Sequence, residues 1–434
     1  MPTGRTSGLT YAPRGDGALR IAINVCVEPG FYGGVAPALR SLISALGLLT
    51  DGPEEYDIVV GADDNTEWLC PLGANQRFVT RPKVRPRLLR RLVSPVVPRL
   101  RRLLEVDLRK WPEVPVSDGF LESLGCDVVH FPTQFAFMLC AVPSVYNPHD
   151  LQHLHYPQFF SPADLVLRET FYPAGCRYAK AVIVNSQWVK DDVVRHYNVS
   201  PSKVHVVPEA SPTQLMPEAS VEDAARVRER YDLSADFALY PATTWPHKNH
   251  LRLFEALAYL RDRRGLVVQL VCTGTRHERS WPQIEAKLSQ LGLTDQVRFL
   301  GFVPDEDLRG LYRLATCLVL PTLFEANSLP VFEAWHAGLP VASSNVTALP
   351  EQIGEAGLLF DPLDPTAIGD ALARLFTEAP LRAELRDKGH RRLADFDWTR
   401  TAKAYRAIYR QTAGQKLCDE DRSLLEWDWM KKPG

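Results

Sequence analysis

CLVLPTLFEANSLPVFEAWHAGLP, residues 317–340, reads in order as a strand, a loop, a helix and the lead into a second strand. Pro330 suits a first helical turn and Gly338 the residue just past a helix end, so the helix is expected to begin near Ser328 to Pro330. The free amides of Ser328 and Leu329 would then lie beyond the carboxyl end of strand 317–322, where open α/β sheets hold their ligands, and an anion is the natural occupant. Glu325 stands in the loop and Glu333 one turn inside the helix. Two carboxylates beside an anion repel it unless hydroxyl groups occupy them, and vicinal sugar hydroxyls satisfy a carboxylate in pairs. One ligand that carries a phosphate between two sugars fits both. A lone Glu in a first helical turn is favourable at the helix dipole with no ligand at all, so the reading rests on the combination.

Outward from this stretch the same grammar repeats. LRIAINVCV (19–27) is a nearly continuous apolar run, followed by a glycine turn and a helix with Leu39, Leu42, Ile43 and Leu46 on one stripe. DIVVGA (57–62), CDVVHF (126–131), SVYN (144–147) and AVIVNS (181–186) alternate with helix-like segments. A second series runs from FALYPA (237) through VVQLVCTG (267–274), VRFLG (297–301) and the quoted stretch to PVASS (340–344). The expectation is an α/β chain of two doubly wound halves, residues 19–210 and 211–397. Residues 209–233 read as linker plus a leading helix. A helix over 398–413 follows the cap-like Asp397, with Trp398, Thr401, Tyr405, Ile408 and Tyr409 on one stripe. Residues 1–18 are expected to be disordered and 414–434 to form a loosely attached tail.

The 434 residues are 45% hydrophobic and 24% charged, an ordinary globular composition, and the net charge of -2 gives no whole-chain field for nucleic acid. The eight cysteines are scattered singly without a C-x-x-C pair, which fits reduced core residues of a cytosolic protein. No secretory h-region and no membrane-spanning run is visible, so a cytoplasmic location is expected. One local exception stands out. Residues 77–110 hold twelve basic side chains, among them Arg90, Arg91, Arg101 and Arg102, against two acidic ones. Leucines interleave with them, a composition suited either to docking on an anionic membrane or acceptor or to a solvated basic face.

Three further segments carry chemistry. ALYPATTWPHKNHLRLFEALAYL (238–260) is a strand, a loop and a helix capped near Asn249, with Leu253, Phe254, Leu257 and Leu260 inward. Lys248 would sit at the positive end of that helix dipole, which is unfavourable unless an anion shares the place. His247 and His250 read as solvated loop histidines. PGFYGGVAP (29–37) offers Gly33 and Gly34, whose backbone could approach a phosphate or the acceptor. It is not the G-x-G-x-x-G of dinucleotide enzymes, and no acidic residue stands at the expected distance beyond it. SVYNPHDLQHLHYPQFFS (144–161) ends its strand in a loop that turns His149 and Asp150 toward the space between the halves. His149, His153 and His155 form an alternative metal cluster.

FEANSLPVFEAWHAGLPVASS resembles the paired-glutamate motif of the retaining glycosyltransferases of family 4, E-x-x-x-L-P-x-x-E followed by A-x-x-x-G-x-P-V. The likeness continues through ALPEQIGEAGLLFDPLDP (348–365) and covers most of residues 19–413. It implies a GT-B architecture, two Rossmann-like doubly wound domains facing across a cleft with the last helix crossing back to the first domain. It also implies roles: Glu325 for the donor sugar's hydroxyls, Glu333 for the ribose diol and Lys248 for the phosphates, with Gly33 and Gly34 as the glycine-rich first loop. His149 would contact the transferring sugar or orient the acceptor. Thr243 stands where many members carry an arginine, leaving one cation fewer for the diphosphate, and Asn327 where members have a small residue, a departure that bears on donor choice. The implied reaction moves a hexosyl group with retention from a nucleotide diphosphate sugar to a glycan or lipid-linked acceptor, with no metal and no other cofactor. WPHKNH and PHDLQHLHYPQFF look like bacterial mannosyl- and rhamnosyltransferases of surface-polysaccharide assembly, which makes GDP-mannose the first donor to consider. An epimerase or sugar phosphorylase on the same fold, and a non-catalytic nucleotide-sugar-binding subunit, stay open at this point.

Overall fold

The apolar runs become the centres of two parallel sheets in a computed structural model that describes residues 17–25, 34–69, 71–82, 114–210, 219–233 and 236–429. The first sheet holds β1 (Leu19–Asn24), β2 (Glu54–Gly61), β3 (Gln76–Arg81), β4 (Val128–Phe131), β5 (Ser144–Tyr146), β6 (Ala181–Val184) and β7 (Val204–Val206). The second holds β8 (Phe237–Pro241), β9 (Gln269–Thr273), β10 (Val297–Phe299), β11 (Cys317–Leu320), β12 (Val341–Ser344) and β13 (Leu358–Phe360). Their orders are β3-β2-β1-β4-β5-β6-β7 and β10-β9-β8-β11-β12-β13. Each sheet reverses direction beside its own first strand, between β1 and β4 and between β8 and β11, and a ligand of such a sheet sits outside the carboxyl ends at that point.

Three strands lie outside the sequence expectation: β3, β7 and β13. The first of them begins inside the basic stretch. Arg77 on β3 pairs with Asp57 at 2.6 Å and Arg81 with Asp118 at 3.1 Å, so these two charges belong to the sheet and not to a docking segment. Arg90, Arg91, Arg101 and Arg102 lie outside the described residues, as do Gly33, Cys26, Cys70 and residues 1–16.

The helices that position the site are α1 (Val35–Leu48), α2 (Pro162–Tyr178), α3 (Gln187–Tyr197), α4 (His250–Arg264), α5 (Asp305–Leu314), α6 (Leu329–His336), α7 (Trp398–Ala413) and α8 (Asp419–Leu425). Helix α6 carries Pro330 in its first turn and stops before Gly338, whose φ of 67° only glycine adopts at little cost. In the segment read as linker plus a leading helix, the helix is Val221–Arg230, and it buries Ala224 and Val227.

Helix α7 starts where the Asp397 carboxylate accepts the Arg400 amide at 3.0 Å, and its buried stripe lies on the first domain. The Thr401 hydroxyl donates to the Pro208 carbonyl and Lys180 donates to the Thr412 carbonyl, both at 2.9 Å. Beneath them His130 gives its Nε2–H to Asn147 at 2.8 Å, Asn147 donates to the Tyr405 hydroxyl at 2.7 Å, and Tyr409 donates to His130 Nδ1 at 2.9 Å. The segment after α7 is not a loose tail. Arg410 pairs with the buried Glu54 at 2.7 Å and with Asp421 of α8 at 3.1 Å, and Trp429 is buried beyond it. One guanidinium between two carboxylates fastens α8 down. Cys418, exposed, accepts the Asp421 amide at this helix start, unlike the buried Cys126, Cys176, Cys272 and Cys317.

The two domains also touch at the cleft. Glu351 of the second accepts the Gln187 and Trp188 amides at the N-terminus of α3, at 3.0 and 2.7 Å. Phe324 packs on His155 and Trp188 with ring centroids 5.6 Å away in each case. Among the described residues no helix is long and apolar enough to cross a membrane.

Candidate active site

The loops leaving β8 and β11 carry Lys248 and Glu325, and these strands are neighbours at the reversal point of the second sheet. Asn249 sews the loops together. It takes the left-handed φ of 59°, and its side chain, instead of capping α4, donates to the Pro321 and Pro362 carbonyls at 2.8 Å each. The Tyr240 hydroxyl donates to the Lys248 carbonyl at 2.6 Å, and the Leu323 amide to the His247 carbonyl at 2.7 Å. With both backbones held, Lys248 Nζ and Glu325 Oε1 form a close ion pair. The flanking histidines are not solvated as expected. His250 packs between Tyr240 and Phe254, and burial pulls its pKa down to about 3; burial does the same to His247, well below the usual histidine range.

The Glu325 backbone is fixed by Thr347, which accepts its amide at 3.1 Å and donates to its carbonyl at 2.6 Å. Thr347 has a φ of 51°, an unfavourable place for a β-branched residue, so this reciprocal pair holds a strained turn. At Ser328 the sequence expectation needs correction. Its amide donates to Gln352 Oε1 at 2.9 Å, while Gln352 Nε2 donates to its carbonyl at 2.8 Å. The Ser328 N–H is therefore spent. The amides of Ala326, Asn327 and Leu329 have no hydrogen-bond acceptor among the described residues, and they form the group available to an anion. One turn inside α6, Glu333 accepts from the Tyr312 hydroxyl of α5 at 2.6 Å. Burial raises the Glu333 pKa, with Tyr312 pulling it back and Asp305 adding to the rise.

Lys248, Glu325 and Glu333 all line one cavity of about 1110 Å³ between the domains, together with Thr243, Asn327, Ser328, Leu329 and Gly34. His149 lines the opposite wall. Its φ of 60° is left-handed, and its Nε2 donates to the Pro132 carbonyl at 2.8 Å. Nδ1 faces the Glu209 carboxylate at 3.9 Å, beyond hydrogen-bond range but within reach of its charge. Glu209, from the loop after β7, has its pKa raised by burial and pulled back by His149, Asn327 and Asn185.

The alternative histidine cluster does not form. His153 is buried edge-on against Tyr172, 4.9 Å between centroids, while His155 pairs with Asp192 at 2.9 Å. Sequence reasoning missed Glu209, Tyr312, Thr347 and Gln352. For Glu209 a signal existed: the short apolar run VHVV (204–207) is a strand whose outgoing loop faces the cleft. The other three act through contacts distant in sequence that no local pattern announces.

Residues 32–214 match the family model described as Glycosyltransferase Family 4, and residues 237–378 the one described as Glycosyl transferases group 1; together they span about three quarters of the chain. Over 268 residues the chain is 28% identical to the O-antigen chain mannosyltransferase B of Escherichia coli, covering 60% of this chain and 69% of the relative. It is 33% identical over 222 residues to the MMP alpha-(1->4)-mannosyltransferase of Mycolicibacterium hassiacum, covering 50% of this chain and only 51% of that protein. Among solved structures, Anabaena Alr3699/HepE in complex with UDP and glucose superposes with a TM-score of 0.66 at 18% identity, over 91% of this chain and 100% of that one. Sucrose-phosphate synthase from Thermosynechococcus elongatus gives 0.65 at 20% identity, over 91% and 98%. Two doubly wound domains, the cleft between them and these matches agree: the chain belongs to the GT-B glycosyltransferases of family 4, group 1 type, and is a hexosyltransferase.

Proposed function

We propose that the protein transfers a mannosyl group, with retention of anomeric configuration, from a nucleotide diphosphate sugar to a hydroxyl of a glycan or lipid-linked acceptor. GDP-mannose is the first donor to test, on the strength of the mannosyltransferases among its relatives. The observation that carries the reading is the meeting of Lys248, Glu325 and Glu333 in one cavity beside the free amides of Ala326, Asn327 and Leu329. Lys248 neutralises Glu325, so a diphosphate can approach a wall that would otherwise repel it. Glu333, held by Tyr312, is left to accept the ribose diol.

In this mechanism Lys248 and the amides stabilise the departing diphosphate, and its oxygen takes the acceptor proton on the face from which the new bond forms. Positioning by Glu325 and His149 supplies the remainder. The charge on the leaving group is met by these residues alone, with no metal among the parts. The basic residues beyond β3, within 83–110, would bring the enzyme to an anionic membrane if the acceptor is lipid-linked.

The test is a donor screen by thermal stabilisation with GDP-, UDP- and dTDP-sugars on wild type, Lys248→Ala and Glu325→Ala. One nucleotide sugar should raise the melting temperature of wild type, and transfer should be lost in both variants while their ligand-free melting temperatures stay near wild type. Near-normal turnover in either variant sinks the reading. Donor turnover into an epimer without any acceptor would favour an epimerase instead.

A further inference from the structure

On the first-domain side of the junction, outside the cavity, three side chains with metal-ligand chemistry converge. Asp192 and His196 stand four residues apart on one face of α3, and His155 ends the one-turn helix Gln152–His155. Asp192 Oδ1 lies 3.0 Å from His155 Nε2 and 3.3 Å from His196 Nε2, and one ligand atom from each of the three residues falls within 4.8 Å of the others. Among the described residues this is the one group of three His, Cys, Asp or Glu side chains that meets so closely. None of the three lines the cavity, so the transfer reaction leaves them unused.

Their arrangement is close to what an ion requires. Tetrahedral nitrogen and oxygen ligands roughly 2.0–2.1 Å from zinc stand about 3.3 Å from one another. Both imidazole-to-carboxylate separations already lie near that spacing, and a turn of the exposed His196 ring completes the set. The Asp192 side chain is 4% exposed, while those of His155 and His196 are 31% and 36% exposed. The carboxylate is thus the floor of the site and the imidazoles its open rim, which leaves a path of entry and room for water as a further ligand. His196 lies in the last turn of α3, the helix end whose dipole favours positive charge. The His155 ring is held in place by Trp188 and Phe324, with centroids 5.3 and 5.6 Å away.

We propose that His155, Asp192 and His196 bind a divalent transition-metal ion of the zinc class, and that the ion locks the contact between the domains. Two imidazoles and one carboxylate suit such an ion; Mg2+ and Ca2+ take oxygen ligands, and sulfur-seeking ions find no thiolate here. On binding, the ion takes the place of the proton that His155 Nε2 donates to Asp192, and the ring keeps its one proton on Nδ1. The ion ties the one-turn helix to α3. Both of these carry the aromatic contact with Phe324 of the second domain, and α3 begins at the Gln187 and Trp188 amides that Glu351 of the second domain accepts. The proposal stands whichever donor the cavity takes.

Calorimetry with Zn2+ on the untagged full chain, first stripped of metal by a chelator, decides it. Wild type should bind one ion at this site and melt at a higher temperature with it. His155→Gln and His196→Gln keep a hydrogen-bond donor beside Asp192 but offer no imidazole. Each should bind zinc on the order of tenfold or more weakly, since losing a direct ligand costs no less than losing a group that orients one. His390→Gln, which changes an exposed histidine of the helix Ala379–Leu393, should bind as wild type does, and Mg2+ should not displace zinc. Ion-free melting temperatures near wild type show the variants to be folded, and His196→Gln, at the surface, carries the test alone if His155→Gln is not. Wild-type affinity in His196→Gln, an equal loss in His390→Gln, displacement by Mg2+ at matched concentration, or a wild-type melting temperature that zinc leaves unmoved overturns the site. Hydrogen exchange reads the lock: zinc should slow exchange of the Gln187 and Trp188 amides in wild type and not in His196→Gln. Bound zinc that leaves these amides exchanging as before overturns the locking role.

Discussion

His149 is a histidine in a backbone conformation that histidines seldom adopt, and the cost, about 1–2 kcal/mol for an ordinary side chain, is borne at the cavity wall. Asparagine tolerates the left-handed region better, so His149→Asn is expected to leave the melting temperature within a few degrees of wild type while turnover drops on the order of 10²-fold. Full activity in His149→Asn would remove the imidazole from the mechanism. Its neighbour Glu209 tests a different property. Glu209→Gln keeps the shape and removes the charge 3.9 Å from His149 Nδ1, so kcat is expected to fall, with donor KM moved less, and the pH profile on its acid side to change. A fall in donor affinity alone would make Glu209 part of the donor site. Of the residues in this cavity, Glu325, Glu333 and Lys248 were legible in the sequence because each stands at a fixed offset from a strand end and a helix start. Glu209 was not, since it meets His149 from another element, a contact that no local pattern announces.

At the scale of elements, legibility followed burial. Strands buried on both faces, such as β1, β8 and β11, are nearly continuous apolar runs and announce themselves. Edge strand β3, QRFVTR, alternates partly buried with exposed residues and carries two arginines, so it passes for a basic loop. Helix α6 was placed correctly by Pro330 and Gly338, yet the clamp that aims it came from Gln352, outside the helix. Gln352→Ala leaves the Ser328 amide without a partner in a buried place, while the Ser328 carbonyl keeps only the Val331 amide at 3.2 Å. That should cost about 1–3 kcal/mol in urea unfolding, and raise donor KM because the start of α6 shifts. If stability drops while donor KM stays at its wild-type value, Gln352 is a packing residue and the aim of α6 is set elsewhere.

The molecule as a whole depends on α7, which leaves the second domain and is fastened to the first through the buried chain Tyr409, His130, Asn147, Tyr405. That chain works with His130 neutral: Nε2–H donates to Asn147 and Nδ1 accepts from Tyr409. Burial, the main cause, lowers the His130 pKa from 6.5 to about 4. Between those values the unfolded chain binds more protons than the folded one, so stability rises with pH through the window and is lost as pH falls below 6.5. The shift corresponds to roughly 3 kcal/mol for this residue. His153, His205 and His250, with pKa values of about 3, 4 and 3, act with the same sign. Glu209, Glu333 and Glu351, whose pKa values are raised by burial, act against it, losing stability as pH rises through their folded values. The histidines titrate higher in the unfolded chain, so unfolding free energy from urea titrations should fall as pH goes from 7 to 5. In His130→Gln stability at pH 7 should be lower than in wild type, but the slope between pH 6 and pH 5 should be shallower by up to about 1.4 kcal/mol per pH unit, one proton's worth. An unchanged slope in His130→Gln would mean that the proton taken up on acid unfolding belongs to other groups, and that α7 is held to the first domain by its ion pairs to Asp51 and Glu54 and not by this chain.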